Sequence, residues 1–184
     1  MEKMKFRVLI PEDKIQEKVK ELARKISEHY EGRTPLIVSI LKGSFIFTAD
    51  LVRHLTIRYK MDFLATSSYG MYTKHSGVVK VLKDLDTSIE REDVLLVEDV
   101  VDSGLTLKYL VDMLKLRRPA SLSIAVLLDK EIPREFDLPI EFVGFKIPNR
   151  FLVGYGLDWR DMYRGIPYVG YVEHSEEEEK TSNK

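Results

Sequence analysis

The sequence predicts an α/β fold with a mainly parallel central sheet flanked by helices. Three observations carry this. Short, largely apolar runs such as Leu36–Leu41, Val94–Val97 and Leu122–Leu128 read as strands buried on both faces. Segments of helical periodicity lie between them, as parallel crossovers require. Polar residues cluster directly after the apolar runs, at the strands' carboxyl ends, where open α/β sheets bind ligands.

Taken in order, Ile15, Val19, Leu22 and Ile26 mark one face of a first helix. Pro11, Glu12 and Asp13 suit its first turn and Gly32 its end. Thr34 and Pro35 lead into the strand Leu36–Leu41, then Lys42-Gly43-Ser44, then a helix from about Phe45 to Leu55. Met61 to Thr66 reads as another strand. From Ser67 to His75 the chain is polar, a long loop of the kind that is functional or disordered. Val78–Leu82 is a short strand, so this region forms a hairpin whose tip moves. After the strand Val94–Val97 come the acids Glu98 and Asp99, then Val100, Val101 and Asp102, and the small-residue turn Ser103-Gly104-Leu105-Thr106. Leu107, Leu110, Val111 and Leu114 then recur at helical spacing, and the helix ends by Arg117-Arg118-Pro119. Leu122 to Leu128 closes with Asp129-Lys130. Phe142–Phe145 and Tyr168–Val172 are the last strands. Residues 1–174 form one domain and 175–184 a solvated acidic tail.

Composition narrows the function. The chain has 184 residues with 44% hydrophobic and 32% charged, ordinary for one soluble globular domain. A formal net charge of −1 provides no global basic field for nucleic acid. No apolar run is long enough to span a membrane and no apolar signal segment follows Met1-Glu2-Lys3. The absence of cysteine excludes disulfides and thiol catalysis, and with the rest favours the cytoplasm. One glutamine, Gln16, and two asparagines, Asn149 and Asn183, beside many Lys and Glu fit a thermophilic source. His29, His54, His75 and His174 show no metal-ligand spacing.

The stretch from Val94 to Thr106 carries the chemistry. A Ser/Gly/Thr loop ahead of a helix offers backbone N–H groups, hydroxyls and the positive end of the helix dipole, which together bind phosphate. Glu98 and Asp99 would repel that phosphate unless a cation or ribose hydroxyls lay between. The stretch therefore suits a ligand with a phosphate, a sugar diol and a bound Mg²⁺. There is no Gly-Lys-Ser/Thr, so it is not a Walker A loop.

These thirteen residues resemble the phosphoribosyl-diphosphate signature of the type I phosphoribosyltransferases: an apolar run, two acids, two aliphatics, then Asp-Ser/Thr-Gly-x-Thr. The similarity runs from Lys42 to Arg164 and narrows to the hypoxanthine-guanine branch. It implies a mainly parallel sheet capped by a small hood. Lys42 and Gly43 would hold the diphosphate, in a loop that in this branch commonly carries a non-proline cis bond before the Lys. Ser68 and Tyr69 would belong to a mobile loop that closes over the reacting centre and excludes water. Glu98 and Asp99 would bind the ribose and Mg²⁺, and Ser103, Gly104, Leu105 and Thr106 the 5′-phosphate. Asp102 would accept the proton at N7 of the base. Lys130 would donate to the purine 6-oxo oxygen, Phe151 would stack on the base, and Leu152 and Asp158 would meet its edge. Asp158 would also help hold a second Mg²⁺, and Arg164 would grip the diphosphate. The expected substrates are phosphoribosyl diphosphate and a 6-oxopurine, with no nucleic acid or membrane partner and with the homodimers or homotetramers usual in the family. A nucleic-acid-binding regulator on the same fold, like the pyrimidine-operon attenuator, and a xanthine- or adenine-preferring transferase are the alternatives.

Overall fold

Strands and helices alternate as the apolar runs predict, and the order in which they assemble fixes where a ligand can sit. The computed structural model describes residues 6–69, 78–134 and 137–172. Six strands form the main sheet: β2 (Leu36–Leu41), β3 (Lys60–Tyr69), β4 (Val78–Lys83), β5 (Asp93–Val101), β6 (Ser121–Lys130) and β7 (Ile140–Ile147). Their spatial order is β4-β3-β2-β5-β6-β7, and every pairing is parallel except β3 with β4. A second sheet, β1-β9-β8, joins Phe6–Ile10, Val169–Val172 and Leu152–Val153 in antiparallel pairs. It is the hood, built from both ends of the described chain.

The central strands β2, β5 and β6 are buried on both sides, which is why they read as largely apolar runs. One face packs Ile37, Leu95, Val97 and Leu127 against α1 (Glu12–His29) and α2 (Phe45–His54), including Ile15, Val19, Leu22 and Phe47. The other packs Val38, Ile40, Leu96 and Val126 against Leu107, Leu110 and Leu114 of α3 (Leu105–Lys115). Successive strand residues thus alternate between two cores.

The chain lays β3 on one side of β2 and then crosses to place β5 on the other. The carboxyl ends of β2 and β5 therefore lie side by side at the point where strand order reverses, the usual place for a ligand crevice. Two sequence expectations change here. Strand β5 continues through Glu98 and Asp99 to Val101, because Glu98, Val100 and Val101 stay in register with Val126, Leu128 and Asp129. The acids thus stand within the strand's last residues and not in a turn beyond it. Strand β3 runs on to Tyr69, so residues 67–69 belong to the ladder with β4. Strands β1 and β8 had no separate reading in the sequence. Residues 70–75 of the expected loop, with His75, and the tail with His174 lie outside the described residues.

Candidate active site

Two clefts open at the carboxyl edge of the main sheet. The first, about 280 Å³, lies between the ends of β2 and β5 and is lined by Lys42, Gly43, Glu98, Asp102, Ser103, Gly104 and Thr106, among others. The second, about 300 Å³, lies between the sheet and the hood and is lined by Val100, Asp102, Lys130, Phe151, Leu152, Leu157 and Asp158. Val100 and Asp102 line both. A larger groove, about 440 Å³, runs from α1 to His54 and contains none of the candidate site residues.

The first cleft is shaped by close backbone packing. The Leu41–Lys42 peptide is cis, as the resemblance implies. Behind it, Ser44 Oγ donates to the Ile40 carbonyl at 2.5 Å, and Ser39 Oγ lies 2.8 Å from Ser44 Oγ and 2.9 Å from Thr48 Oγ1. These buried hydroxyls satisfy one another and anchor the loop to the sheet. Gly43 lies so near Asp99 that a Cβ there would stand 1.8 Å from Asp99 Oδ2. Gly156, at φ +102, lies equally close on the other side, its would-be Cβ 2.0 Å from the Gly43 carbonyl. The β5 carboxylate, the β2 loop and the segment after β8 are thus stacked without side chains between them.

Glu98 and Asp99 are adjacent, and Asp99 is buried. Burial, then repulsion by Asp99, pushes the Glu98 carboxyl well above its ordinary range. Burial raises Asp99 as well, while a hydrogen bond from Glu98, N–H donors of its own backbone and Val100, and the Arg164 charge act in the opposite direction. A divalent cation would relieve that repulsion, so this donor pair fits Mg²⁺. No cluster of three or more His, Asp or Glu able to hold a metal occurs among the described residues. A cation here would keep open positions for water and substrate oxygens, the habit of Mg²⁺.

Gly104 turns the chain from β5 into α3 at φ +79, a conformation that glycine adopts without a steric penalty. The first N–H groups of α3 have no partner inside the helix. Ser103 is exposed and Thr106 half-buried beside them.

In the second cleft Lys130 donates to Asp102 Oδ2 at 2.6 Å, and its side chain is only 11% exposed. It is therefore not a solvated strand-end lysine. Phe151, 46% exposed, meets Trp159 edge-on with ring centroids 4.9 Å apart. Leu152 is buried in β8. Asp158 Oδ1 pairs with Arg164 Nη2 at 2.7 Å, and Oδ2 accepts the Asp161 N–H at 2.8 Å. Arg164 also donates to the Gly156 carbonyl at 2.8 Å, and Lys42 lies 3.4 Å from Asp161. Ser68 and Tyr69 close β3, and their side chains lie outside the described residues.

Three contributors had no sequence signal. Arg134 binds the ends of β5 and β6. Tyr155 donates to Asp50 Oδ2 at 2.7 Å, which also accepts from Gln16 Nε2 at 2.8 Å, tying the segment after β8 to α1 and α2. Trp159 braces Phe151. Arg134 and Tyr155 act through contacts between distant parts of the chain, and none of the three stands in a spacing that local reading detects.

The family model for the phosphoribosyl transferase domain matches residues 11–160. The hypoxanthine-guanine phosphoribosyltransferase of Bacillus subtilis is 48% identical over 166 residues, 90% of this chain and 92% of that one. The hypoxanthine phosphoribosyltransferase of Salmonella typhimurium is 49% identical over 167 residues, 90% of this chain and 94% of that one. A crystal structure of a hypoxanthine-guanine phosphoribosyltransferase from Bacillus anthracis superposes with a TM-score of 0.87 at 46% identity, covering 93% of this chain and all of that one. With two clefts meeting at Asp102 and a hooded, mainly parallel sheet, the chain belongs to the hypoxanthine-guanine phosphoribosyltransferases of the phosphoribosyl transferase domain family.

Proposed function

We propose that the chain works in purine salvage, transferring 5-phosphoribosyl from phosphoribosyl diphosphate to N9 of hypoxanthine or guanine and giving IMP or GMP plus diphosphate. The observation that carries this is the position of Asp102 in the wall shared by the two clefts, with Lys130 at 2.6 Å on the second side. One cleft has the phosphate-binding turn and the acidic pair. The other has a flat aromatic, a buried ammonium and a carboxylate. Phosphoribosyl in the first would present its C1′ to a base in the second.

In this reading the α3 N-terminus with Ser103, Gly104, Leu105 and Thr106 takes the 5′-phosphate. Glu98 and Asp99 hold the ribose hydroxyls and Mg²⁺, and Asp158 helps hold a second Mg²⁺. Bound Mg²⁺ would supply neutralisation of the diphosphate leaving group. Lys42, Gly43 and Arg164 receive that diphosphate. Ser68 and Tyr69 belong to a segment that closes over the centre. Phe151 stacks on the base, offset as aromatic pairs prefer. Leu152 and Asp158 meet the base edge, Lys130 donates to O6, and Asp102 takes the N7 proton.

A cytoplasmic location is part of the proposal, and no helix among the described residues is long and apolar enough to cross a membrane. A homodimer or homotetramer is part of the proposal. Met61 and Phe63 alternate onto one face of β3 and stay 37% and 38% exposed, the kind of apolar surface a subunit contact covers. The nucleic-acid-binding alternative has no use for the base cleft, and nothing in the geometry favours it.

The test is a radiolabelled-base assay with hypoxanthine, guanine, xanthine and adenine, with and without excess EDTA. Mg²⁺-dependent nucleotide formation from hypoxanthine and guanine is expected. No transfer to any 6-oxopurine would overturn the activity, and full turnover in EDTA would remove the metal.

A further inference from the structure

Arg134 stands four residues beyond Lys130, with its side chain 17% exposed, and no step of the proposed reaction uses it. Its guanidinium lies across the ends of two strands. Nε donates to the Asp102 carbonyl at 3.1 Å. Nη2 lies 3.3 Å from the Val101 carbonyl and 3.2 Å from the Lys130 carbonyl, and also pairs with the Asp129 carboxylate. Val101 and Asp129 are register partners, so Asp102 and Lys130 are the next residues on each strand. Beyond that pair the β5–β6 ladder ends, while the Lys130 carbonyl still accepts the Ile132 N–H at 2.9 Å. One planar guanidinium reaches the Val101, Asp102 and Lys130 carbonyls together, which a lysine ammonium could not match in shape.

In the proposed reading the two side chains held in this way face one edge of the base. Purine N7 and O6 lie next to each other on a single edge. Reading both requires a carboxylate and an ammonium at one fixed separation. In the protein that separation is the 2.6 Å pair of Asp102 and Lys130, carried on two different strands. Each side chain is attached to a backbone unit whose carbonyl Arg134 holds. Misplacement of a reacting group by about 1 Å can cost about 10²-fold in rate.

We infer that Arg134 is a positioning residue that sets the spacing of Asp102 and Lys130, and with it the recognition of the N7–O6 edge. The inference rests on the proposed roles of those two residues. It places the determinant of base geometry outside the cleft, on a side chain that touches no substrate.

The experiment is a double-mutant cycle with kcat and KM measured for hypoxanthine and for phosphoribosyl diphosphate. Arg134→Gln should lower kcat for hypoxanthine by about 10²-fold while leaving KM for phosphoribosyl diphosphate unchanged. Arg134→Lys should recover part of that loss. In the Asp102→Asn background the Arg134→Gln substitution should cost far less than in the unmutated enzyme, because residues that act as a unit are not additive. An equal-fold loss in both backgrounds, or a loss wholly in KM for phosphoribosyl diphosphate, would reduce Arg134 to a general support of the fold and overturn the inference. If Arg134→Gln does not accumulate as folded protein, Arg134→Lys runs the same cycle with the same two outcomes. Failure of the underlying reading looks different: no transfer by the unmutated enzyme, or undiminished kcat in Asp102→Asn alone.

Discussion

A methyl group on Gly43 would come within 1.8 Å of Asp99 Oδ2 and 2.6 Å of its Cγ, so any side chain there moves the carboxylate. At Gly156 the obstacle is the Gly43 carbonyl at 2.0 Å, and the backbone is held at φ +102. The two glycines should therefore fail differently. Gly43→Ala can be accommodated by displacing Asp99, and the Mg²⁺ concentration for half-maximal rate should rise while melting changes little. Gly156→Ala has only backbone to push against and should destabilise the protein by about 1–3 kcal/mol. A Gly43→Ala enzyme with unaltered Mg²⁺ dependence would detach Asp99 from the metal. Asp102→Asn makes a second residue-scale prediction. It should lower kcat by about 10²–10⁴-fold, the usual contribution of a general base, and leave phosphoribosyl diphosphate affinity nearly intact. A loss appearing only in KM for phosphoribosyl diphosphate would assign Asp102 to the geometry of the phosphate turn. Asp102 was legible in the sequence because it belongs to a contiguous string of residue types in which each has a chemical reason. The contact of Gly43 with Gly156 was not, since 113 positions separate them and neither carries a side chain to suggest a partner.

Elements were legible where their burial was two-sided or strictly periodic. Strands β2, β5 and β6 and the face of α1 follow directly from such patterns. The hood is different. Of its strands only β9 was legible; β1, β8 and β9 are five, two and four residues long, and β1 pairs with β9 across the whole length of the described chain. Nothing local distinguishes Phe6–Ile10 from a disordered lead-in until Val169–Val172 is beside it. The extended length of β3 was hidden for a related reason. Its last residues are Thr, Ser, Ser and Tyr, polar by composition and held in the ladder by β4. Asp62 helps fix this hairpin. It is 4% exposed and accepts N–H groups of Phe63, Asp86 and Thr87, with Lys83 at 3.3 Å. Burial alone would raise its pKa, but those donors outweigh it and hold the carboxyl below its ordinary value. A depressed folded-state pKa contributes stability above the unfolded value, about pH 4, that is lost as pH falls through the folded value. Asp62→Asn should therefore lower the melting temperature at neutral pH and flatten its decline below about pH 4. An acid limb as steep as that of the unmutated protein would locate the titrating group elsewhere.

At the scale of the molecule, selectivity for the base follows from where the sheet and the hood meet. The second cleft takes Asp102 and Lys130 from the ends of β5 and β6 and Phe151 and Leu152 from the start of β8, so in the proposed reading the plane and the edge of the purine are read by different layers. Lys130 is 11% exposed and has three donors and no acceptor. Hypoxanthine and guanine carry an acceptor oxygen at position 6, and adenine an amino group, so donor would face donor. A buried donor left unpaired costs about 1–3 kcal/mol, more when charged. Sites built on such a hydrogen bond reject the mismatched ligand by roughly 10⁴-fold or more. Asp102 cannot offset the loss by turning to the adenine amino group without surrendering N7. The 2-amino group of guanine matters less, since a backbone carbonyl or water can accept from it. Hypoxanthine and guanine should thus be used well and adenine poorly, with Trp159, the single tryptophan and already against Phe151, reporting base binding by its fluorescence. Lys130→Ala should weaken the 6-oxopurines selectively and narrow the gap to adenine. Comparable kcat/KM for adenine and hypoxanthine in the unmutated enzyme would sink this assignment. So would a Lys130→Ala variant that loses all bases by the same factor, since the lysine would then be setting the shape of the cleft and reading nothing at position 6.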